Sequence, residues 1–308
     1  MPTAPEPDER ETTATRLLVH PPSEVIQADD YEAIRAYYRQ TLRDYRLLWF
    51  NDETLAYHYG YWDRGVHSHQ KALLRLNEKL YEISGATKNA SILDAGCGVG
   101  GTAVWLARHH GGPVVGINIV EDQITQANAN CRRLHLEDSV SFYVEDYCNT
   151  SFPDDSFDQV WAIESLCHAL DKRRFCEEAF RLLRPGGILL MSDFLLTKHT
   201  FSSTEERWIR QWNRGWVTHF TTLTEMRRMI EDTGFEQVQA SDHSAYVAPS
   251  VKRLHHMALL TTVPAITGHI LGQFVNHEWE NYKACFAQYR AFRNDLWRYG
   301  IIRAEKPA

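Results

Sequence analysis

Between Ile92 and Gly101 the chain reads Ile-Leu-Asp-Ala-Gly-Cys-Gly-Val-Gly-Gly: an apolar strand end, one carboxylate, then glycines at 96, 98, 100 and 101 running into a helical pattern from Thr102 to His109. Glycine removes the Cβ atoms that would block a ligand lying against such a turn and permits the φ values a sharp strand-to-helix reversal needs. A dinucleotide-binding turn shares the pattern, and so does a merely tight strand–helix connection. The residues downstream narrow the choice. Gly116-Ile-Asn-Ile119, followed by Asp122 and Gln123, stands where a nicotinamide enzyme usually places an acid to hold both ribose hydroxyls. Asn118 can bridge one hydroxyl, so ribose binding survives while the dinucleotide reading weakens. Glu145-Asp146-Tyr147 then offers a carboxylate to accept from an adenine amino group and a ring to stack on the base, although Asp146 also suits a helix N-cap.

These residues need a scaffold that brings strand ends together. Strand candidates at Ser91–Asp94, Pro113–Ile117, Val140–Val144, Phe157–Ile163 and Gly187–Phe194 alternate with helical patterns at 101–110, 121–135, 171–184 and 222–233. Such alternation predicts an α/β fold with a doubly wound, mostly parallel seven-stranded sheet and ligands at the carboxyl ends of its strands. Two further strands are expected near Gln237–Ser241 and at the C-terminus. Residues 1–22, rich in Pro, Glu, Asp and Thr, read as a disordered tail. Residues 23–85 read as a helical lid, with helices from Asp29 to Trp49 and from His69 to Ile83; 86–196 read as the cofactor-binding core, and 197–308 as cap helices plus the remaining strands.

Composition bounds the partners. A net charge of -7 argues against a general nucleic-acid or anionic-membrane surface without forbidding a local basic pocket. The six scattered cysteines lack a C-x-x-C pair and read as reduced, cytoplasmic thiols rather than disulfides or a zinc site. The polar N-terminus shows no signal peptide. The apolar stretch Met257 to Phe274 is interrupted by threonines, Pro264, Gly268 and His269, so it predicts a buried or cap helix rather than a membrane span. A homo-oligomer is compatible with all of this.

The ordered set from Leu80 to Phe194, completed by Phe157–Glu164 and Leu182-Leu-Arg-Pro-Gly-Gly187, resembles the class I S-adenosylmethionine-dependent methyltransferases. The resemblance implies S-adenosylmethionine as cofactor, with Asp94, Gly96, Cys97, Gly98, Asn118, Ile119, Gln123, Asp146 and Tyr147 as its expected contacts. Within that superfamily, Ala162-Ile-Glu-Ser-Leu-Cys-His-Ala169 looks like the segment found in sterol C-methyltransferases and small-molecule natural-product methyltransferases, and Gly116-Ile-Asn-Ile-Val fits the same branch.

Two acceptor chemistries follow. Methylating an alkene carbon yields a carbocation, which needs a negative or π-rich wall and then a base; methylating a hydroxyl or amine needs a base only. Glu164, at the end of the fourth strand, suits the first chemistry, or else binds the cofactor's methionine end. Trp208, Trp212 and Trp216 recur every four residues on one helical face with Phe220 a step beyond, as a cation–π wall or as a stripe packing a cap helix on the core. Ala56-Tyr-His-Tyr-Gly-Tyr-Trp-Asp63 is similar to the Tyr/His-rich stretch of prenyl diphosphate C-methyltransferases. That resemblance implies Glu164 and Trp216 as catalytic, with Tyr57 or Tyr59 shaping the pocket of a terpenoid-forming enzyme. A diphosphate head needs counter-charge, for which Arg207, Arg210, Arg214 and histidines 58, 67 and 69 are candidates, with Mg²⁺ entering only in that case. The arginines equally suit a solvated helix face. In the competing chemistry His168 is the base and Asp193 its partner, as in O-methyltransferases of the same branch; Cys167 departs from their His-His pair.

Overall fold

The computed structural model describes residues 28–272 and 276–308, so the expected tail at 1–22 lies outside it. In chain order the elements are α1 (Ala28–Leu48), α2 (His69–Ser84), β1 (Ile92–Ala95), α3 (Gly101–His109), β2 (Val114–Asn118), α4 (Glu121–Arg133), β3 (Val140–Val144) and β4 (Phe157–Ile163). There follow α5 (Lys172–Leu182), β5 (Leu183–Leu196), α6 (Ser203–Trp216), α7 (Leu223–Thr233), β6 (Glu236–Asp242), α8 (Ser244–Leu260), α9 (Thr262–Ile270), α10 (Asn276–Arg293) and β7 (Trp297–Glu305).

The strands form one seven-stranded sheet in the order β3-β2-β1-β4-β5-β7-β6, as the alternation predicts. Neighbours from β3 to β5 are parallel, whereas β7 runs antiparallel to both β5 and β6. The order reverses between β1 and β4, and ligands of such sheets bind at the crevice this reversal opens. Both faces of the central strands are covered. Along β4, Val160 and Ala162 pack on one side and Trp161 and Ile163 on the other. In β5, Leu189, Met191 and Leu195 join the first layer and Leu190, Phe194 and Leu196 the second. β5 is longer than expected: Leu183 already pairs with Phe157, and a register shift absorbs the Arg-Pro-Gly-Gly segment before regular pairing resumes at Ile188.

The cap is fixed by local signals. Ser202 and Glu205 form a reciprocal capping box at the start of α6, and Ser68 caps α2, which ends at Gly85 in the left-handed region. Gly215 lets α6 lie directly on α10, since a Cβ there would come 2.4 Å from the Glu280 carbonyl and 2.4 Å from Ala284 Cβ. The apolar stretch from Met257 is helical, and of the two expectations for it, buried helix or cap helix, the first fails. The stretch from Met257 is not buried: of α8's end and α9 only Ala258, Ala265 and Gly268 turn inward, because small residues permit the packing against neighbouring helices, and the large apolar side chains are left in solvent. Phe274 lies outside the described residues.

Gly215→Val should lower the folding stability by roughly 1–3 kcal/mol through overpacking of the α6–α10 crossing, measurable as a reduced urea midpoint with an unchanged slope.

Candidate active site

Where β4 ends, Glu164 adopts φ +48, a left-handed conformation costly for a residue with a Cβ. Its backbone N–H is pinned to the Ser192 carbonyl at 2.7 Å, so the strained geometry is held by the next strand. The carboxylate Oε1 accepts from the backbone N–H of Tyr59 (2.8 Å) and from the hydroxyl of Tyr299 (2.7 Å). Burial pushes the Glu164 carboxyl up to about 8, against these two donors, which favour the ionised form.

Glu164 faces a cavity walled mainly by rings: Tyr37, Tyr38 and Tyr45 from α1, Tyr57 from the segment after it, Phe194 from β5 and Trp216 at the end of α6. Tyr57 sits between Tyr45 and Tyr38, with ring centroids 4.7 and 5.9 Å away. Trp216 and Phe194 meet at 6.0 Å. The indole Nε1 of Trp216 is buried without a hydrogen-bond partner. Among the described residues, no Lys or Arg lines this cavity.

His168 also lines the cavity, from a single 3-10 turn spanning Leu166–His168. Its Nδ1 lies 3.0 Å from the carbonyl of Val217, which can only accept, so Nδ1 carries the proton and Nε2 accepts from the Tyr38 hydroxyl at 2.8 Å. Burial lowers the imidazole to about 4, which keeps it neutral. Val217 is itself held at φ +53, so the carbonyl that orients His168 is presented by a strained residue. The expected pairing of His168 with Asp193 is not made. Asp193 instead accepts from the N–H groups of Cys167 (2.8 Å) and Phe194 (2.7 Å), and burial pushes it up to about 6.

Of the expected cofactor contacts, Gly96, Gly98, Asn118, Ile119, Gln123, Asp146 and Tyr147 line the other end of the cavity, whereas Asp94 and Cys97 are buried and do not. A Cβ on Gly96 would collide with Ser165 at 2.4 Å, and its φ of +90 also demands glycine. Asn118 donates to Gln123 Oε1 (2.7 Å) and accepts from the Val120 N–H (3.1 Å), which leaves Gln123 Nε2 as a buried donor with no partner. Asp146 accepts from the Tyr31 hydroxyl (2.7 Å) and the Cys148 N–H (2.8 Å), a local turn rather than a helix cap. Tyr147 is tethered through its hydroxyl to the Ser165 carbonyl. Asp94 lies buried beneath the glycine turn, bonded to the Ala103 N–H, with Oδ2 unpartnered and burial pushing it up to about 7. Two orphaned polar atoms, a glycine-walled turn and the Asp146 carboxylate in the cavity wall fit a nucleoside that also carries an ammonium group.

Several expected residues lie elsewhere. Tyr59 serves Glu164 through its backbone, while its hydroxyl accepts from Gln288 (2.7 Å). Tyr61 stacks on Tyr246. Trp212 is fully buried core, against Phe220 and Trp297, and Trp208 packs on that core. His58, His67 and His69 do not line the cavity, nor do Arg207, Arg210 and Arg214. All three arginines are exposed; Arg210 pairs with Glu206 and Arg214 with Glu280. The described residues hold no His/Cys/Asp/Glu group suited to a metal ion. The site also includes residues that the sequence reading leaves unassigned, among them Tyr31, Tyr37, Tyr38, Tyr45, Phe194 and Tyr299. The four α1 tyrosines fall within the helix expected from Asp29 to Trp49, and nothing in the sequence singles out Tyr299.

Residues 93–191 match the family model described as a methyltransferase domain. The chain is 35% identical over 195 residues to the 27-O-demethylrifamycin SV methyltransferase of Amycolatopsis mediterranei, covering 63% of this chain and 71% of that protein. It is 34% identical over 172 residues to the sterol 24-C-methyltransferase of Eremothecium gossypii, covering 56% of this chain but 45% of that one. The geranyl diphosphate C-methyltransferase of Streptomyces coelicolor, solved with Mg²⁺, geranyl diphosphate and S-adenosyl-L-homocysteine, shares the fold with a TM-score of 0.71 at 18% identity, over 91% of this chain and 98% of that one.

Because Asp94 is pushed up to about 7, a bound cation drives off its proton. S-adenosylmethionine should therefore bind about tenfold more weakly at pH 6 than at pH 8, with proton release seen by calorimetry in two buffers. Asp94→Asn should weaken binding and flatten this dependence.

Proposed function

We propose that this chain, which belongs to the class I S-adenosylmethionine-dependent methyltransferases, methylates an alkene carbon of an isoprenoid acceptor through a carbocation held beside Glu164. The observation that carries this reading is the Glu164 carboxylate itself, half-buried, bonded twice and set among aromatic rings. When bound, the cofactor supplies an electrophilic methyl group on a sulfonium. Both protein donors take Oε1, so Oε2 is the oxygen available to the cavity. As positive charge develops on the acceptor carbon, the carboxylate opposes it with full negative charge. The faces of Tyr57, Phe194 and Trp216 add a desolvated cation–π contribution of roughly 0.5–2 kcal/mol each. Oε2 then takes a proton from the neighbouring carbon, and the electron pair of that C–H bond restores a double bond.

A prenyl diphosphate of geranyl or farnesyl type has the right apolar chain, and terpenoid biosynthesis is its natural setting. Its head group, however, finds no Lys or Arg in the cavity lining and must sit toward solvent, with any Mg²⁺ held there by the substrate's own oxygens. A neutral isoprenoid alkene needs no counter-charge and suits the lining better. The similarity to a sterol 24-C-methyltransferase supports an alkene acceptor of either kind.

A second reading, O-methylation, is favoured by His168. Its Nε2 is an acceptor fixed by the Val217 carbonyl, and an acceptor hydroxyl in place of the Tyr38 hydroxyl would hand it a proton. The similarity to the 27-O-demethylrifamycin SV methyltransferase supports it.

Glu164→Gln should lower kcat by about 10²–10⁴-fold, whereas His168→Asn stays within about tenfold of the parent. The rate should rise with pH to a plateau at or below about 8, since the base must be ionised and a nearby cation favours the carboxylate; Glu164→Gln removes that limb. The opposite pattern, with His168→Asn inactive and Glu164→Gln competent, would establish O-methylation.

A further inference from the structure

α1 touches two sets of cavity residues. Its Tyr38 hydroxyl meets His168, and its Tyr31 hydroxyl donates to Oδ2 of Asp146 at 2.7 Å. The first contact belongs to the acceptor readings above, and the second has no part in them. Tyr31 and Asp146 are 115 residues apart, so their bond exists only because α1 lies against the turn that follows β3. Two more groups hold α1 there. Arg35 Nε donates to the Ile119 carbonyl at 3.2 Å, and Arg39 pairs with Asp122 at 3.3 Å. Ile119, Asp122 and Asp146 all follow the ends of β2 and β3, where the expected cofactor contacts cluster.

A carboxylate turns readily about its side-chain bonds unless both of its oxygens are tied. Oδ1 of Asp146 accepts from the Cys148 N–H at 2.8 Å, and Oδ2 accepts from Tyr31. One donor is local and holds a single oxygen; the second, from α1, fixes the plane of the group. Each carboxylate oxygen offers two lone-pair sites, so each keeps one after these bonds are made. A carboxylate held in this way can accept from a ligand amino group and repels a ligand oxygen put in the same place. Both residues are half-buried and line the cavity, which leaves them within reach of a ligand there. Burial, and next the bond to Asp146, push the Tyr31 hydroxyl well above its ordinary range, so it stays a neutral donor.

We propose that Tyr31 is a positioning residue for the cofactor's base: it fixes Asp146 so that the carboxylate reads the adenine amino group. The inference rests on Asp146 as the adenine contact of bound S-adenosylmethionine, and it holds for carbon and oxygen acceptors alike. The choice of nucleoside then depends partly on a helix that precedes the first strand.

The test is calorimetry of the full chain with S-adenosylhomocysteine and with S-inosylhomocysteine, which carries an oxygen in place of the adenine amino group. The parent should prefer the amino compound by about tenfold or more, because one ligand gains a hydrogen bond to a charged group and the other meets repulsion. Tyr31→Phe keeps the ring and loses only the hydroxyl. It should cut that preference by about threefold or more, by weakening S-adenosylhomocysteine far more than S-inosylhomocysteine. Arg35→Gln, which loosens α1 without touching Asp146, should weaken both compounds alike and keep the parent's preference. Both variants should retain the parent's circular dichroism. The proposal is overturned if Tyr31→Phe keeps the parent's preference, even with weaker binding overall, or if Arg35→Gln loses that preference equally. A parent with no preference would remove Asp146 as the adenine contact, and the proposal with it. None of these outcomes bears on which atom receives the methyl group.

Discussion

A carboxylate half-buried among aromatic rings is expensive unless donors replace the water it lost, and Glu164 recruits those donors from segments far apart in the chain. The Tyr59 N–H comes from the segment between α1 and α2, and the Tyr299 hydroxyl from the last strand. Each bond requires its own piece of architecture. Tyr59 reaches Glu164 only because the 56–61 segment lies across the end of β4. Tyr299 reaches it only because β7 pairs antiparallel with β5, which sets Tyr299 opposite Phe194. The antiparallel strand is thus part of the site as well as of the sheet.

The same burial explains why the site is poised for a cation. Asp94, Glu164 and Asp193 are all pushed upward by desolvation, so each is a negative charge that a positive ligand would stabilise. His168 is pushed the other way and stays neutral, and so adds no opposing charge. The cavity has rings, the carboxylates of Glu164 and Asp146 and, among the described residues, no lining Lys or Arg, a composition that suits a cationic ligand. Two of the strained residues serve this place: Glu164 and Val217 both have positive φ, and each presents a group to the site.

Much of this was legible in the chain. The glycine turn, Asn118, Asp146 and Glu164 follow consecutive strands, and a doubly wound sheet brings such positions together whatever lies between them. The residues that could not be read depend on long-range register. Nothing local distinguishes Tyr299 from other tyrosines until β7 is paired with β5. The spacing of Trp208, Trp212 and Trp216 revealed one helical face but not where that face leaves the core, so only the last of the three reaches the cavity. Tyr57, Tyr59 and Tyr61 looked equivalent in sequence, yet one lines the cavity, one lends its backbone and one stacks against α8. The apolar stretch near Leu260 suits a buried or a cap helix alike, because hydropathy reports which residues would prefer burial, not whether packing partners of the right size exist.

The central claim is that the methyl group is delivered to carbon. Its most direct test is to supply S-adenosylmethionine carrying a ¹³C-methyl group together with acceptors of each class: neutral isoprenoid alkenes; geranyl, farnesyl and geranylgeranyl diphosphates with and without Mg²⁺; and phenols and sugars. The carbon chemical shift of the product then identifies the bond formed. A labelled methyl on an isoprenoid carbon, with a double bond displaced by loss of a neighbouring proton, is the predicted result. A labelled methyl found only on oxygen or nitrogen would contradict the account.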